Sequence, residues 1–220
     1  MNNLRKQLYT NFPKNISWAC HSVNEENIEI PDFKEKSARE KEYCLGRYCA
    51  QQALEALHSN NHSSKIESSP HGFPIWPNGI NGSISHSKGL CLSAVAKSID
   101  YEAIGIDVEQ FNRMKERSIE RIVHPLEKAQ IGNDLKKATL LFSIKEAFYK
   151  AQFPLHKSPL NFKDVALNYD FIAQTAQLKW IAEKLPISKS SYSDWVIAYQ
   201  VIKDTCFVLC SKSNKTDKSN

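Results

Sequence analysis

A stripe of apolar residues at intervals of four predicts a helix in the segment SAREKEYCLGRYCAQQALEAL, beginning near Ser37. The stripe consists of Leu45, Cys49, Ala53 and Leu57. Gly46 interrupts it, and glycine costs roughly 1 kcal/mol relative to alanine inside a helix. We therefore interpret Gly46 as the site of a close contact with another element.

Shorter apolar runs bounded by turn residues predict strands. SIS and LCLSAVA are separated by the turn-rich HSKG, and AIGIDVE follows. LKWIAE, DWVIAYQVI and TCFVLC predict further strands, and KIES is a candidate short strand within a polar surface connection. The predicted tail, SKSNKTDKSN, is rich in Ser, Asn and Lys, and we expect residues 211–220 to be disordered.

Two helical segments lie between these groups of strands. SIERIVHPLEKAQI is predicted to be helical with a break near Pro125. DLKKATLLFSIKEAFYKAQF is predicted as a long helix, with Asp134 as its N-cap and Pro154 beyond its end. The order α, β, β, β, α, α, β, β predicts an α+β fold, since a parallel sheet would require repeated βαβ units.

Composition and charge narrow the class of protein. The chain is 41% hydrophobic and 24% charged over 220 residues, which is typical of a globular protein with a real core. A net charge of +5 is compatible with anionic ligands or acidic partners and too small to indicate nucleic acid. No apolar run long enough to span a membrane and no secretory signal are apparent. The six cysteines lack metal-binding spacing, so we expect free thiols in the cytoplasm.

The heptapeptide IGIDVEQ places two carboxylates inside an apolar, β-branched run. In a strand, Asp107 and Glu109 point to one face while Ile106 and Val108 point to the other. Two buried carboxylates repel each other, and a hard divalent cation such as Mg²⁺ removes that cost. The alternative interpretation is an exposed strand end, where both carboxylates would be solvated.

The segment FSIKEAFYKA supplies a third carboxylate. Phe142, Glu146 and Lys150 share one helix face because they are spaced by four residues. A surface Glu–Lys pair would explain this spacing equally well. Taken with Asp107 and Glu109, however, Glu146 completes an oxygen-rich set suited to Mg²⁺, and the neighbouring lysines would supply positive charge for phosphates.

A third segment, GSISHSKG, offers groups suited to phosphate oxygens. Ser85, His86 and Ser87 bring hydroxyl, imidazole and backbone N–H groups between glycines. A solvated surface histidine is the alternative interpretation. The segment therefore indicates a phosphate-binding site only in combination with the two acidic segments.

In the order GSISHS, IGIDVE, FSIKEAFYKA, these segments resemble the 4′-phosphopantetheinyl transferases of the large single-chain type. LGRYCAQQAL, HGFPIWPNGINGSISHS and AFYKAQFPLHKSPLNFKDV are most similar to enterobactin synthase component D. The resemblance implies two similar α+β subdomains, at 1–99 and 100–210, with the active site at their junction. It also implies transfer of phosphopantetheine from coenzyme A to a serine of an apo carrier protein, releasing adenosine 3′,5′-bisphosphate.

The resemblance further implies roles for individual residues. Asp107, Glu109 and Glu146 would bind Mg²⁺, with Glu146 also acting as a base, directly or through a metal-bound water. Lys150 would contact the pyrophosphate, and Asp107, Glu146 and Lys150 would form the catalytic set. The implied coenzyme A contacts are Arg39, Arg47, Gly72, Phe73, Pro74, Ser85, His86, Lys145 and Lys150.

The resemblance also favours a monomer that binds neither nucleic acid nor membrane, working on peptidyl, aryl or acyl carriers in siderophore or other secondary-metabolite synthesis. Without it, acidic triads also serve Mg²⁺-dependent phosphodiesterases and nucleotidyltransferases. A nucleic-acid-binding module would need a basic stripe with stacking aromatic residues, and the 24 interleaved acidic residues argue against one. A non-catalytic relative is disfavoured because every charged motif position is present.

Overall fold

Ten strands and four α-helices lie in the part of the chain that the computed structural model describes, residues 12–26, 28–57, 66–70 and 72–214. The helices are α1 (Ala38–Leu57), α2 (Glu116–Ile122), α3 (Lys128–Ile131) and α4 (Leu135–His156). The strands are β1 (Ser17–Ser22), β2 (Glu67–Ser68), β3 (Pro74–Ile75), β4 (Ile80–Ser87), β5 (Leu90–Lys97), β6 (Tyr101–Gln110), β7 (Val165–Asp170), β8 (Thr175–Ile181), β9 (Trp195–Ile202) and β10 (Thr205–Ser213). This mixture of antiparallel sheets and helices confirms the predicted α+β class.

The smaller sheet has the strand order β1–β5–β4, and α1 packs on one of its faces. The predicted stripe of α1 is buried in this interface together with Cys91 and Val95 of β5. A Cβ atom at Gly46 would lie 3.0 Å from the Ile84 Cγ2 atom of β4. The close contact inferred from the glycine is therefore confirmed, and it brings α1 against the strand that carries the Ser-His motif.

The larger sheet has the order β6–β10–β9–β8–β7, with every neighbouring pair antiparallel. The long helix α4 crosses β6 so closely that a Cβ atom at Gly105 would lie 2.0 Å from the Ala147 carbonyl oxygen. Ile104, Ile106 and Val108 face the other way, into a core shared with β1 and β5. β6 therefore lies between α4 and the smaller sheet, which brings both halves of the chain to one strand.

The predicted N-cap of α4 is confirmed, and the predicted end of the helix is wrong. The Asp134 carboxylate accepts hydrogen bonds from the backbone N–H groups of Lys136 and Lys137. Pro154 lies within the last turn instead of beyond it, and the helix ends at Lys157 in the left-handed conformation, with φ 51°. A proline there removes a single backbone hydrogen bond near the helix end, and its fixed φ suits a helix.

The sequence prediction missed strands at sheet edges. β1 borders the smaller sheet and β7 borders the larger one. The burial of β1 does not alternate along the strand, so the period of two on which a strand prediction depends is absent. β10 continues to Ser213, which corrects the start of the predicted tail, and residues 215–220 lie outside the described part of the chain.

All six cysteines are free thiols, as expected from their spacing, and all but Cys44 are buried. Burial raises the pKa of the Cys91 and Cys206 thiols to about 12, so both are neutral near pH 7. None of the described helices combines the length and the apolar character that crossing a bilayer requires. The strands before residue 99 and after residue 100 belong to different sheets, and the subdomain boundary at that point stays a prediction.

Candidate active site

A cavity of about 1070 Å³ lies between β4, the C-terminal half of α4 and the segment around the β2–β3 hairpin. Glu146, Tyr149, Lys150 and Phe153 contribute the helix wall, because residues three and four apart share one face. Leu141, Ile144 and Phe148 on the opposite face are fully buried. The helix is thus fixed to the core by one face and lines the cavity with the other.

Asp107 is buried at the junction of β4, β6 and α4. Its Oδ1 atom accepts hydrogen bonds from Lys150 Nζ at 2.7 Å and from Ser85 Oγ at 2.8 Å. Its Oδ2 atom accepts from Ser143 Oγ of α4 at 2.8 Å. Three donors from β4 and α4 therefore fix this carboxylate of β6, and the alternative interpretation of an exposed strand end is excluded.

Glu109, two residues along β6, is held in the same way. Ser87 Oγ donates to its Oε2 atom at 2.8 Å, and Arg113 forms an ion pair with its Oε1 atom. Ser85 contacts Asp107 and Ser87 contacts Glu109, because side chains two residues apart point to the same face in both strands. The ion pair with Glu109 raises the pKa of Arg113, so this guanidinium stays charged.

Glu146 differs from the other two carboxylates in having no protein partner. Among the described residues, its carboxylate makes no hydrogen bond and no ion pair, although the side chain is partly buried. Burial raises the pKa of Glu146, the Lys150 ammonium opposes this shift, and the charges of Asp107 and Glu109 add to it. A carboxylate with raised proton affinity at a cavity wall is suited to accept a proton.

The three carboxylates fit Mg²⁺ in the type of their donor atoms. Hard oxygen ligands suit this ion, and the charge of Glu146 has no partner that a cation would have to displace. In the described ranges, no three His, Cys, Asp or Glu side chains form a group that could hold a metal ion. Serine, lysine and arginine donors engage the oxygens of Asp107 and Glu109 instead, so metal binding would require those oxygens to exchange partners.

Lys150 lies at the cavity wall with all three ammonium protons in use. Besides the Asp107 bond, Nζ donates to Ser85 Oγ at 3.0 Å and to the Ile106 carbonyl oxygen at 3.1 Å. A phosphate in the cavity would be contacted by Lys150 only if the lysine released one of these acceptors. Lys150 lines the cavity, and its contact with the pyrophosphate stays a prediction.

The predicted contact of Lys145 with phosphate is wrong. Its side chain is 3% exposed, and Nζ donates to Glu127 Oε2 at 2.7 Å and to the carbonyl oxygens of Ile122 and Phe162 at 2.9 and 2.8 Å. Burial lowers the pKa of Lys145, and the Glu127 carboxylate opposes that shift. One residue along a helix is a rotation of about 100°, which turns Lys145 away from the cavity that Glu146 faces.

Glu127 is the fully buried partner of Lys145. It also accepts hydrogen bonds from the backbone N–H groups of His124 and Leu167, at 2.7 and 2.8 Å. The carboxylate therefore joins α4 to the 3-10 turn Pro125–Glu127 and to β7. The buried Lys145–Glu127 ion pair therefore connects the elements that are packed next to Glu146.

Lys145→Met is expected to destabilise the protein by about 3–5 kcal/mol, because it leaves the Glu127 carboxylate buried without its cation. Thermal and urea unfolding would measure the loss. The control is Lys184→Met, which removes an exposed pair with Asp164 and should cost no more than about 1 kcal/mol. Equal losses in the two variants would contradict the importance of the buried pair.

The predicted coenzyme A contacts are partly brought together. Gly72, Phe73 and Pro74 line the cavity, and the Phe73 ring stacks on Phe153 with centroids 4.6 Å apart. Ser85 is a correction: its hydroxyl is buried and donates to Asp107, so it is not available to a phosphate. His86 points to the opposite face of β4, because neighbouring strand residues alternate.

The two predicted arginines differ in their placement. Arg47 Nη2 donates to Ser68 Oγ at 2.6 Å, beside cavity residue Ser69. Its Nε atom is buried, and no partner for it is found in the described part of the chain. Arg39, at the start of α1, is exposed and is not part of the cavity lining. Arg47 is thus close to the cavity edge, and the structure does not bring Arg39 to it.

Sequence reasoning missed Ser143 and Arg113, which hold Asp107 and Glu109, and Glu127, which holds Lys145. A usable signal existed for the serines of β4, whose spacing of two residues equals that of Asp107 and Glu109. Ser143 lies within the FSIKEAFYKA motif, but its partner is 36 residues away. Such pairings are visible only when the elements are assembled.

Two models of known protein families match this chain. The family model for the 4′-phosphopantetheinyl transferase N-terminal domain matches residues 34–96, and that for the 4′-phosphopantetheinyl transferase superfamily matches residues 103–200. Together the two models match more than half of the chain and include β4, β6 and α4.

Individual relatives have the same description. The chain is 31% identical over 140 residues to 4′-phosphopantetheinyl transferase Npt of Nocardia iowensis, covering 62% of each protein. It is 32% identical over 136 residues to 4′-phosphopantetheinyl transferase PptT of Mycobacterium tuberculosis, covering 60% of this chain and 59% of the relative. The chain thus spans about three fifths of the length of these curated relatives.

The holo-ACP-synthase of Plasmodium yoelii is a similar solved structure, at 18% identity and a TM-score of 0.40, covering 52% of this chain and 95% of that one. The two family models and the curated relatives carry the same family description. This chain belongs to the 4′-phosphopantetheinyl transferase superfamily.

Proposed function

We propose that this protein transfers the 4′-phosphopantetheine arm of coenzyme A to a serine of an apo carrier protein and releases adenosine 3′,5′-bisphosphate. The observation that carries the proposal is the helix wall of the cavity, where Glu146 and Lys150 lie next to the buried carboxylates of β6. A cavity of about 1070 Å³ can enclose a ligand as large as a nucleotide cofactor.

Glu146 is the proposed base. The carrier serine hydroxyl is a weak nucleophile near pH 7, so its proton has to pass to an acceptor as its oxygen attacks phosphorus. Glu146 faces the cavity, has no competing hydrogen bond among the described residues and has a raised pKa. The new bond joins the serine oxygen to the phosphate that carries the pantetheine arm, and the pyrophosphate P–O bond to the adenosine bisphosphate breaks.

Lys150 is proposed to stabilise the leaving group. Negative charge grows on the departing phosphate as the P–O bond breaks, and an ammonium group at the cavity wall stabilises that charge. Its contacts with Asp107 and Ser85 hold the ammonium at the cavity wall, and one of these acceptors would be exchanged for the departing phosphate. The Ser85 hydroxyl thereby acts through Lys150 and Asp107.

Asp107, Glu109 and Glu146 are the residues that we propose would hold Mg²⁺. When bound, the ion would supply positive charge at the pyrophosphate oxygens. Ser143 and Ser87 already orient the two carboxylates of β6. Removal of divalent ions with a chelator is expected to abolish transfer and to leave the fold intact, since Asp107 and Glu109 have protein partners without a metal.

The remaining contacts with coenzyme A are proposed from their place around the cavity. Phe73 and Phe153 offer an aromatic surface for the adenine base. Gly72 has a φ of +82°, which favours glycine, and the absence of a side chain there leaves its backbone open to a ligand. Arg47 and His86 are proposed as phosphate contacts. Arg39 remains a sequence-based candidate that lies on the outside of α1.

The natural partners are proposed to be acidic peptidyl, aryl or acyl carriers in siderophore or other secondary-metabolite synthesis. The net charge of +5 would favour association with such carriers. We further propose that the protein acts in the cytoplasm, on the basis of six free thiols, and as a monomer, because the resemblance implies two subdomains that form the active site within one chain. No role with nucleic acid or membranes is proposed.

The test is mass spectrometry of an apo carrier protein incubated with the purified chain, coenzyme A and Mg²⁺. The expected result is the addition of one phosphopantetheine per carrier domain, with equimolar adenosine 3′,5′-bisphosphate. A carrier whose acceptor serine is replaced by alanine serves as the control. Nucleotide release without any gain in carrier mass would overturn the proposal in favour of a phosphodiesterase.

A further inference from the structure

Glu42 of α1 joins the helix to the tip of the β4–β5 hairpin. Its Oε1 atom accepts a hydrogen bond from the Gly89 N–H at 2.9 Å, and its Oε2 atom lies 3.2 Å from Nδ1 of His86. The turn is tight, with positive φ at both Lys88 and Gly89. The backbone conformation of these two residues determines the shape of the turn. One carboxylate therefore contacts both the turn and the histidine that precedes it.

His86 shares a strand face with two residues of the cavity wall. Gly82 and Ile84 line the cavity, and His86 follows at the same period of two along β4. The imidazole is 52% exposed, and no partner of its Nε2 atom is found among the described residues. One ring nitrogen is thus held by Glu42, while the other has no partner among the described residues and belongs to a residue two positions beyond the cavity-lining Ile84.

We propose that Glu42 is a positioning residue that fixes the His86 ring so that Nε2 donates to a phosphate group of coenzyme A. The inference rests on the proposed function, since it assumes that coenzyme A occupies the cavity. It adds a residue for which the resemblance implied no role. Glu42 acts through His86 and does not itself contact the ligand.

The chemistry follows from the two ring nitrogens. The Glu42 carboxylate accepts a hydrogen bond from Nδ1 when Nδ1 carries a proton. A phosphate oxygen likewise accepts a hydrogen bond from a protonated Nε2. The ring that satisfies both carries a positive charge between two anions, and hydrogen bonds from charged donors are stronger than those from neutral ones. A carboxylate at Nδ1 also fixes the ring orientation, as second partners of ligand-binding histidines commonly do.

Glu42→Gln separates this role from the structural role of the side chain. The glutamine carbonyl can still accept from the Gly89 N–H, so the hairpin tip keeps its link to α1. Its amide group would donate to Nδ1, which leaves the ring neutral at the phosphate. The variant therefore removes the charge of the contact and retains the shape of the turn.

The experiment is calorimetric titration of the full chain with coenzyme A and Mg²⁺, without a carrier, so that no turnover occurs. Glu42→Gln is expected to weaken coenzyme A binding about tenfold, which is the usual difference between charged and neutral hydrogen bonds. The transition temperature and the kcat at saturating coenzyme A should remain unchanged. Glu55→Gln, on an exposed turn of the same helix, is the matched control and should bind normally.

A second measurement distinguishes an effect of Glu42 on affinity through the His86 ring from an effect that does not involve His86. In a His86→Ala background, Glu42→Gln should cause no further loss of affinity, because its effect passes through the ring. An unchanged affinity in the single variant, or an equal loss in both backgrounds, would overturn the inference. Failure of the wild-type chain to bind coenzyme A would instead refute the proposed function, so the two failures are distinguishable.

Discussion

Glu146→Gln is expected to lower the rate of phosphopantetheine transfer by a factor on the order of 10²–10⁴, the usual contribution of a general base. The amide has nearly the shape of the carboxylate but cannot accept the serine proton. It also removes one of the three proposed metal ligands. Mass spectrometry of the carrier after incubations of known duration would measure the rate. For the slow variant, the enzyme would be in excess.

The same variant should fold normally. The raised pKa of Glu146 means that the folded state disfavours its charged form, so the ionised side chain costs stability above its unfolded pKa. A neutral glutamine removes that cost and the repulsion from Asp107 and Glu109. The transition temperature is therefore expected to stay the same or to rise slightly.

Glu120→Gln provides the control for this prediction, because Glu120 is an exposed residue of α2 that lies outside the cavity. It should retain full activity. Full activity of Glu146→Gln would refute the assignment of the base. A large fall in its transition temperature would instead show that Glu146 has a structural role.

Gly105→Ala is expected to destabilise the protein by about 3 kcal/mol or more, or roughly 6–12 °C in transition temperature. The new methyl group would lie 2.0 Å from the Ala147 carbonyl oxygen and 2.5 Å from the Ala151 nitrogen. Both are backbone atoms, so no side-chain rotation can relieve the contact. Differential scanning calorimetry would measure the shift.

Activity should fall further than stability alone explains. The helix α4 has to move away from β6, and Ala147 directly follows Glu146. A displacement of about 1 Å at a catalytic group can cost a factor on the order of 10² in rate. Transfer measured well below the transition temperature would separate this displacement from unfolding.

The matched control is Gly46→Ala. Its methyl group would meet only the Ile84 side chain, at 3.0 Å, and alanine favours the helical conformation by about 1 kcal/mol. We expect the two effects nearly to cancel. If Gly105→Ala were as mild as Gly46→Ala, the close packing of α4 on β6 would not be what fixes the catalytic helix.

Much of the secondary structure was predictable from local patterns. The stripe of α1 and the alternation in AIGIDVE are periodic over enough residues to identify a helix and a strand, and Asp134 carries the side chain of an N-cap. The edge strands β1 and β7 were missed because they lack such a signal. Pro154 was misplaced because the cost of a proline depends on its position within the helix.

The amino-acid sequence by itself determined which residues share a face: Asp107 with Glu109, and Glu146 with Lys150. These pairings follow from the periods of the strand and the helix, which are local properties of the backbone. The motifs around them also placed the chain in its family.

Only the tertiary structure decided what each of these side chains meets. It showed that the Lys145 ammonium is bound to Glu127, that the Ser85 hydroxyl serves Asp107, and that Glu42 faces His86. The partners of the first two lie 18 and 22 residues away along the chain. Their pairing depends on how the sheets and α4 pack, because a local pattern fixes a direction on an element and not the neighbour in that direction.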